Sequence, residues 1–444
     1  MRRVLLGVVL ASCGHSPHGA APSVVAVSQT ASTDVPSSQT SWVAARSAAR
    51  TSLAAKDFVA YRAQLQPLYD RSGSVWVLRD LARADALLGD RARAIAELLA
   101  VAAMGVAIDV DADDAFQSLR AEPSMAAVRA EVLGNRAPVS HARAAVSLPH
   151  EDLIAEDIAY DASRRTFLVS SVRHRKILAV DADGHVRDFV EDAAGALGGF
   201  GGLAVRGDEL WATTAWLPQT LGYASHAARP TGLVAFDLRT GALRERVVLP
   251  ATTRHEVLSD LAVSRSGTLF ASDSTGGDVY TLGPEEHALS RLTPAGAFVS
   301  PQTPAPSLDG RSVFVPDYVL GIASIDLTTR AVKWLGRAES VTLTGIDGLY
   351  VDGSTLVAVQ NGVEPPRVVR LTVSDDGTRV LRAEVLERAT PGLGEPTHGV
   401  IVDGTLHFVA NAGWDRFDDD GQLRQGAPAD APAIWTLMLP EPRR

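Results

Sequence analysis

Residues 156–170 read EDIAYDASRRTFLVS, residues 259–273 read SDLAVSRSGTLFASD and residues 347–359 read DGLYVDGSTLVAV. Each stretch opens on a short polar or acidic turn and runs into an alternating apolar strand. It then turns on small polar or glycine residues and enters a second strand. Alternation is the period of a half-buried strand, because successive side chains point to opposite faces. The unit returns more loosely at Gly202 (GLAVRGDELWAT), at His398 (HGVIVDGTLHFVA) and at Pro306 (PSLDGRSVFVPD). A third strand carrying I/V-x-x-hydrophobic-Asp follows, so the unit recurs about six times between Glu151 and Leu439. A period of roughly 40–50 residues with four short strands per copy is that of propeller blades.

One blade cannot bury both faces alone, so blades stack around an axis. Equivalent turns from all blades then meet at one mouth of the central channel. Glu156, Asp260 and Asp347, which open three copies, are therefore expected to converge although some 190 residues separate the first from the last. The plainer alternative is that these acids cap turns and bind nothing.

The chain has 444 residues, 46% of them hydrophobic, and a formal net charge of −10. That length suggests two domains. A nucleic-acid binder would carry a basic face, which the acidic balance argues against. There is one cysteine, Cys13, so disulfides do not hold the fold together. Residues 1–13 (MRRVLLGVVLASC) place two cations before a short apolar run and small residues, the pattern of a secretory signal. Leu10-Ala11-Ser12-Cys13 resembles the bacterial lipobox, which implies a signal peptide over 1–12, lipidation of Cys13 and a lipid-anchored protein of the bacterial cell envelope. Gly14 stands where the inner-membrane retention signal has Asp, which favours the outer membrane in a Gram-negative cell. The membrane contact implied is that N-terminal lipid alone. Residues 13–41, rich in Ser, Ala, Pro, Thr and Val, read as a disordered tether.

Residues 42–136 change to Ala, Leu and Arg at helical spacing. The stretch 81–105 (LARADALLGDRARAIAELLAVAAMG) resembles a tetratricopeptide unit, with small residues at Ala82 and Ala102 and a turn at Gly89-Asp90. Such helical pairs make peptide grooves, which raises a protein partner. The competing expectation is a spacer or cap packed on the propeller. Asp109, Asp111, Asp113 and Asp114 fail as a calcium loop, which needs Gly at its sixth position and Glu at its twelfth; Asp114 and Arg120 stand there. Asp418-Asp419-Asp420-Gly421 reads as a turn. No G-x-S-x-G, H-E-x-x-H or phosphate loop occurs. The run Gly198, Gly199, Gly201, Gly202 leads into a strand, and is expected to let the backbone pass tightly at the channel mouth.

With its repeat, its Glu156 opening and its D-G-L copy at Asp347, the span 143–440 resembles the SMP-30/gluconolactonase/LRE-like propellers, with strictosidine synthase and arylesterase types as wider kin. The fold class expected is mainly β: a six-bladed β-propeller behind a small N-terminal helical domain. The resemblance implies one divalent metal in the channel and hydrolysis of a lactone or ester. It makes Glu156, Gln302 and Asp347 metal ligands, Gln302 standing where the family has Asn. The third-blade Asn-Asp pair becomes Ser259-Asp260, with Asp260 as base. Carboxylate and carbonyl oxygens suit Ca²⁺ first, with Mg²⁺, Zn²⁺ or Mn²⁺ also acceptable. His398 opens the sixth blade at the same offset, as fourth ligand, proton shuttle or plain hydrogen-bonder. His407 follows strand alternation and reads as structural. Trp211, Trp216, Tyr223, Tyr318 and Trp414 are candidate pocket walls, and 216–230 a candidate lid. The reading from another class is a non-catalytic module of the NHL kind, presenting surfaces to a protein or glycan.

Overall fold

The structure, a computed structural model, describes residues 38–191, 197–224, 230–250, 256–427 and 430–441. Cys13, the signal and most of the tether lie outside the described residues, as do His255 and positions 225–229 of the second-blade insert. Among the described residues no helix is long and apolar enough to cross a membrane.

Six sheets form the propeller. Their innermost strands are Ala155–Asp161, Gly199–Arg206, Leu258–Val263, Ala305–Pro306, Gly348–Asp352 and Gly399–Val402, in blades one to six. Each inner strand pairs antiparallel with the next along the chain, and four-stranded meanders result. Blade six takes its outermost strand from the other end of the domain: Arg143–Ser147 pairs antiparallel with Ala433–Met438. The ring is thereby closed by hydrogen bonds between segments far apart in sequence.

The alternating pattern has its physical reason in six apolar layers, one between each pair of neighbouring blades. Leu168, Ile177 and Ala179 of blade one meet Phe200, Leu203 and Leu210 of blade two. Trp211 and Leu233 meet Leu261 and Leu269 across the next gap. Phe270 and Val279 meet Val313 and Ile325, and Ile322 meets Leu349 and Leu356. Val357 and Val368 meet Leu406 and Phe408, and Val409 and Ile434 meet Ile158 and Val169 to close the circle. Both faces of every blade are buried, which explains strands richer in apolar residues than a one-faced sheet requires.

Blades four and five are irregular, and only blade five departs from four strands. Blade four has an inner strand of only two residues. Its sequence there, PQTPAP over 301–306, has prolines that cannot donate to a ladder. Blade five gains a fifth strand, Gly336–Arg337, parallel to the long outer strand Arg379–Arg388.

The helices are α1 (Ser38–Ala54), α2 (Phe58–Ser72), α3 (Val75–Leu88), α4 (Arg91–Ala103) and α5 (Met125–Arg136). Asp57 and Asp90 cap α2 and α4 by accepting from Ala60 N and Arg93 N, and Gly73 and Gly89 end α2 and α3 in left-handed conformation. Asp113 caps the short 3₁₀ turn that follows α4, and Asp109 accepts from Ala112 N, so the acidic run is turn chemistry. Asp418 likewise accepts from Asp420 N and Gln422 N.

The helical block is packed onto the propeller at the end where the inner strands begin. Val299, Leu320 and Val363, from loops of blades three to five, join its core. Trp76 Nε1 donates to Gly362 O at 2.7 Å, and Ala107 N to Glu364 O at 2.6 Å. Arg367, 2% exposed, donates from Nε to Gln360 Oε1 and from Nη1 to the carbonyls of Met104 and Gly105. The block thus covers the rim of the channel mouth on the side of blades four and five.

Candidate metal centre

Acids of the repeat fall into two sets by position. Those that end the third strand build turns: Asp237 Oδ1 accepts from Arg239 N and Thr240 N, and Asp326 Oδ1 from Thr328 N and Thr329 N. Those at the start of the inner strands turn toward the axis. In blades one, two and three the pairing slips near Glu156, Gly201 and Ser259, between Ala155 and Ile158, Phe200 and Leu203, and Leu258 and Asp260. A bulge at a strand start re-aims the side chains it carries.

Glu156, Asp260, Asp347 and His398 come together there. His398 Nε2 lies 2.7 Å from Asp260 Oδ1 and 3.7 Å from Asp347 Oδ1, and Nδ1 lies 3.9 Å from Glu156 Oε1. Asp260 and His398 are each 2% exposed and Asp347 8%. Nδ1 is 3.1 Å from the backbone oxygen of Glu156, so Nδ1 keeps a proton and Nε2 is the nitrogen that would lose one to bind a cation. Nε2 is buried against Asp260 Oδ1, and that contact helps hold the ring protonated. Single ligand atoms of Asp260, Asp347 and His398 all lie within 4.8 Å of one another.

Each member is held from outside. Ser259 Oγ donates to Asp260 Oδ2, and Thr303 Oγ1 to Asp260 Oδ1 at 3.1 Å. Asn361 Nδ2 donates to Asp347 Oδ2 at 2.7 Å and is oriented in turn by Tyr318 OH on its Oδ1. Trp414 Nε1 donates to Glu156 Oε2. Thr397 Oγ1 holds the Glu156 carbonyl at 2.7 Å. Such outer partners orient ligating groups. Trp414 and Tyr318 are thus wall residues with hydrogen bonds to spend on the site. Asn361, Thr303 and Thr397 sit in loops that carry no strand period, so the sequence offered no signal for them.

Gln302 has its amide nitrogen engaged within its own loop. Its Nε2 donates to Ser300 O and Ser300 Oγ at 3.2 and 3.0 Å, and Thr303 is the residue of that segment that reaches Asp260. His407 is half-buried and packs its ring on Phe167 at 4.5 Å, between blades six and one. Asp157, next to Glu156, points elsewhere: its oxygens accept from Ile158 N and Leu203 N, both at 2.7 Å, and join blade one to blade two.

Burial pushes the Glu156 carboxyl from 4.5 up to about 8, against the pull of His398 and with Asp347 adding to the rise. Burial likewise raises Asp157 from 3.8 to about 7 and raises Asp347. Burial lowers His398, but Asp347, Asp260 and Glu156 outweigh it and hold the ring well above its ordinary 6.5. Three buried carboxylates around one imidazole leave an excess of negative charge that calls for protons or a cation. A raised carboxyl stabilises the fold below its ordinary value, and that contribution is lost as pH rises through the folded value. Urea unfolding of metal-free protein should therefore show stability falling between about pH 4.5 and 8, the span set by Glu156. A rise over that range would contradict this electrostatic picture.

Glycines bring the blades close enough to form the cluster. A Cβ on Gly202 would stand 2.3 Å from Leu261 N and 2.7 Å from Asp260 Cα, and one on Gly201 would stand 2.4 Å from Ser259 O. Backbone cannot yield as a flexible side chain can, so Gly202→Ala should cost about 1–3 kcal/mol in urea unfolding and displace Asp260. An unchanged midpoint would sink that reading.

Among the described residues, two other groups offer metal-ligand atoms within the same reach. Asp181, Asp183 and His185 are exposed in a turn, and Glu256, Asp273 and Asp278 lie in blade three. In the second group Arg291 Nε already lies 3.2 Å from Asp278 Oδ2.

No family model matches the chain, and no curated protein matches it. Solved structures do. A gluconolactonase from Xanthomonas campestris is 17% identical, with a TM-score of 0.43 over 64% of this chain and 86% of that one. A calcium-binding protein, regucalcin, from Agrobacterium tumefaciens is 16% identical, with a TM-score of 0.45 over 65% and 90%. A virginiamycin B lyase from Staphylococcus aureus is 13% identical, with a TM-score of 0.43 over 67% and 99%. The chemistries of these neighbours differ, and at such scores the likenesses assign none to this chain.

Proposed function

We propose that the propeller holds one divalent cation between Asp260, Asp347 and His398, with Glu156 beside it, and that it hydrolyses a lactone or ester there. The single observation that supports this most is the His398 ring. A backbone carbonyl occupies its Nδ1, while Nε2 is buried and faces Asp260 Oδ1 at 2.7 Å and Asp347 Oδ1 at 3.7 Å. That is the arrangement of an imidazole ready to ligate. A nitrogen in the donor set favours Zn²⁺ over Ca²⁺, which takes oxygen, and the two carboxylates also suit Mn²⁺. When bound, the cation would polarise the substrate carbonyl and lower the pKa of a water.

The protein's own groups do the rest. Ser259 and Thr303 fix Asp260, and Asn361 fixes Asp347. Both oxygens of Asp260 are engaged, so it serves better as a ligand than as the base. Glu156 has Oε1 turned toward His398 and Oε2 held by Trp414, and is the carboxyl placed to move a proton beside the reacting carbonyl.

The test is a panel of lactones and aryl esters assayed with metal-stripped protein resupplied with Ca²⁺, Mn²⁺ or Zn²⁺. Turnover restored by Mn²⁺ or Zn²⁺ is expected; no turnover with any metal would end the hydrolytic reading and return a non-catalytic binding module. The placement in the cell envelope belongs to the same proposal and rests on Cys13. Cys13→Ser should move the protein from the membrane to the soluble fraction. The helical block, resembling a tetratricopeptide pair, is proposed as a fixed cover of the mouth rather than a peptide groove.

A further inference from the structure

Asn361 opens the loop of residues 361–366 that joins the strands Thr355–Gln360 and Arg367–Val373 of blade five. Its amide is fully engaged at the channel mouth. Nδ2 donates to Asp347 Oδ2 at 2.7 Å and to Pro396 O at 3.0 Å, and Oδ1 accepts from Tyr318 OH at 3.0 Å. Pro396 stands two residues before His398, so Asn361 ties the acid of blade five to the segment that carries the histidine of blade six. The helical block grips the same loop at the next three residues. Trp76 Nε1, on α3, donates to Gly362 O at 2.7 Å. Val363 enters the core of the block, and Glu364 O accepts from Ala107 N at 2.6 Å.

The loop has little slack between these two sets of contacts. Gly362 N donates to Gly345 O at 3.0 Å, and a Cβ on Gly362 would stand 2.4 Å from Gly345 Cα and 2.8 Å from the Tyr318 hydroxyl. Close-packed groups transmit a displacement rather than absorb it. A shift of Gly362 therefore reaches Asn361 through one peptide unit. Resting on the metal reading above, we propose that Trp76 is a positioning residue for the cation: through Gly362 and Asn361 it holds Asp347 ready to ligate. The helical block is then part of the support of the centre as well as a cover of the mouth. Seating of the block and occupation of the centre favour each other, since coupling between two sites is reciprocal. If Trp76 only fastened the helices, its loss would lower stability and leave metal affinity alone.

Trp76→Phe removes the donor and keeps a ring against the block. Trp76 is only partly buried, so the variant should fold. Calorimetric titration of the whole, metal-stripped protein with Mn²⁺ reads the link, counting only the binding that Asp347→Asn abolishes. Asn361→Ala should weaken Mn²⁺ about tenfold, the low end for an outer partner of a metal ligand. Trp76→Phe should weaken it about fivefold, the worth of one hydrogen bond. The double variant should bind as Asn361→Ala does alone, because a residue that acts through another adds nothing once that other is gone. Mn²⁺ bound equally by wild type and Trp76→Phe, or a double variant whose loss is the product of the two single losses, overturns the proposal. Wild type that binds no Mn²⁺ retires the metal reading instead, and crystals of metal-free Trp76→Phe then decide the positioning alone. In them Asn361 should be turned from Asp347 or split between two positions. An Asn361–Asp347 hydrogen bond unchanged from wild type would overturn it.

Discussion

Asp347→Asn is expected to lower kcat/KM for the best substrate of the metal-supplied protein about a thousandfold, the size of effect that follows from losing several kcal/mol of charge stabilisation. The same substitution should raise the melting temperature of the metal-free protein. The two effects have one cause. Asp347 is buried, burial raises its pKa against the pull of His398 and with Asp260 adding to the rise, and it sits 3.7 Å from His398 Nε2. Without a cation it is one of three acids around one ring, and neutralising it relieves repulsion. With a cation it is a ligand, and an amide oxygen is a poorer one. The amide oxygen can still accept from Asn361, whose Nδ2 bonds Asp347 Oδ2, so local geometry should persist. The decisive readout is the crossing of the two effects: added Mn²⁺ should raise the melting temperature of wild type and leave that of the variant unmoved. A variant that is less stable without metal and still stabilised by Mn²⁺ would mean that Asp347 is structural.

The second large effect lies away from the centre. Arg367→Ala should cost about 3–5 kcal/mol, because it leaves two buried acceptors and a part-buried one without a donor, a buried one being worth about 1–3 kcal/mol when orphaned. Gln360 Oε1 receives Nε at 2.7 Å, and Met104 O and Gly105 O receive Nη1 at 3.0 and 3.1 Å. Burial brings the guanidinium down to about 10, still charged at neutral pH. Gly105 has a φ of +76°, and a Cβ there would stand 2.5 Å from Arg367 Nη1, so its carbonyl is presented by a turn shaped for the contact. Arg367→Met keeps apolar bulk but no donor, and should recover only part of the loss. Urea unfolding followed by tryptophan fluorescence, with limited proteolysis of α4 and α5, would check it. The helices should become cleavable under conditions in which the propeller resists. A loss under 1 kcal/mol would mean that Trp76 and the apolar contacts alone hold the block in place.

The six blades were legible because burial on both faces imposes a strand pattern that repeats, and the copies at Glu156, Ser259 and Asp347 follow it most plainly. Blade four was found by its Pro306 opening, yet its inner strand is two residues long because prolines deny it a ladder. The parallel fifth strand at Gly336–Arg337 left no trace, being too short to show any period. Convergence of Glu156, Asp260, Asp347 and His398 followed from their common offset in the repeat. Most of their partners did not: Asn361, Thr303 and Thr397 lie in loops, where position depends on tertiary packing, whereas Trp414, read as a pocket wall, opens a short 3₁₀ helix. Gln302 illustrates the difference. It occupies the family offset in sequence, but its amide nitrogen bonds Ser300 within its own loop. Whether the helices touched the mouth was likewise beyond the sequence, since the contacts pair residues such as Trp76 and Gly362 that have no local signature.

The central claim is that a cation sits between Asp260, Asp347 and His398. Crystals of the protein soaked in Mn²⁺ and measured at a wavelength where manganese scatters anomalously test it most directly. One anomalous peak is predicted in the mouth of the channel, bonded to His398 Nε2 and to one oxygen each of Asp260 and Asp347. A map with no peak there, or with manganese only at the exposed Asp181, Asp183 and His185, would contradict it.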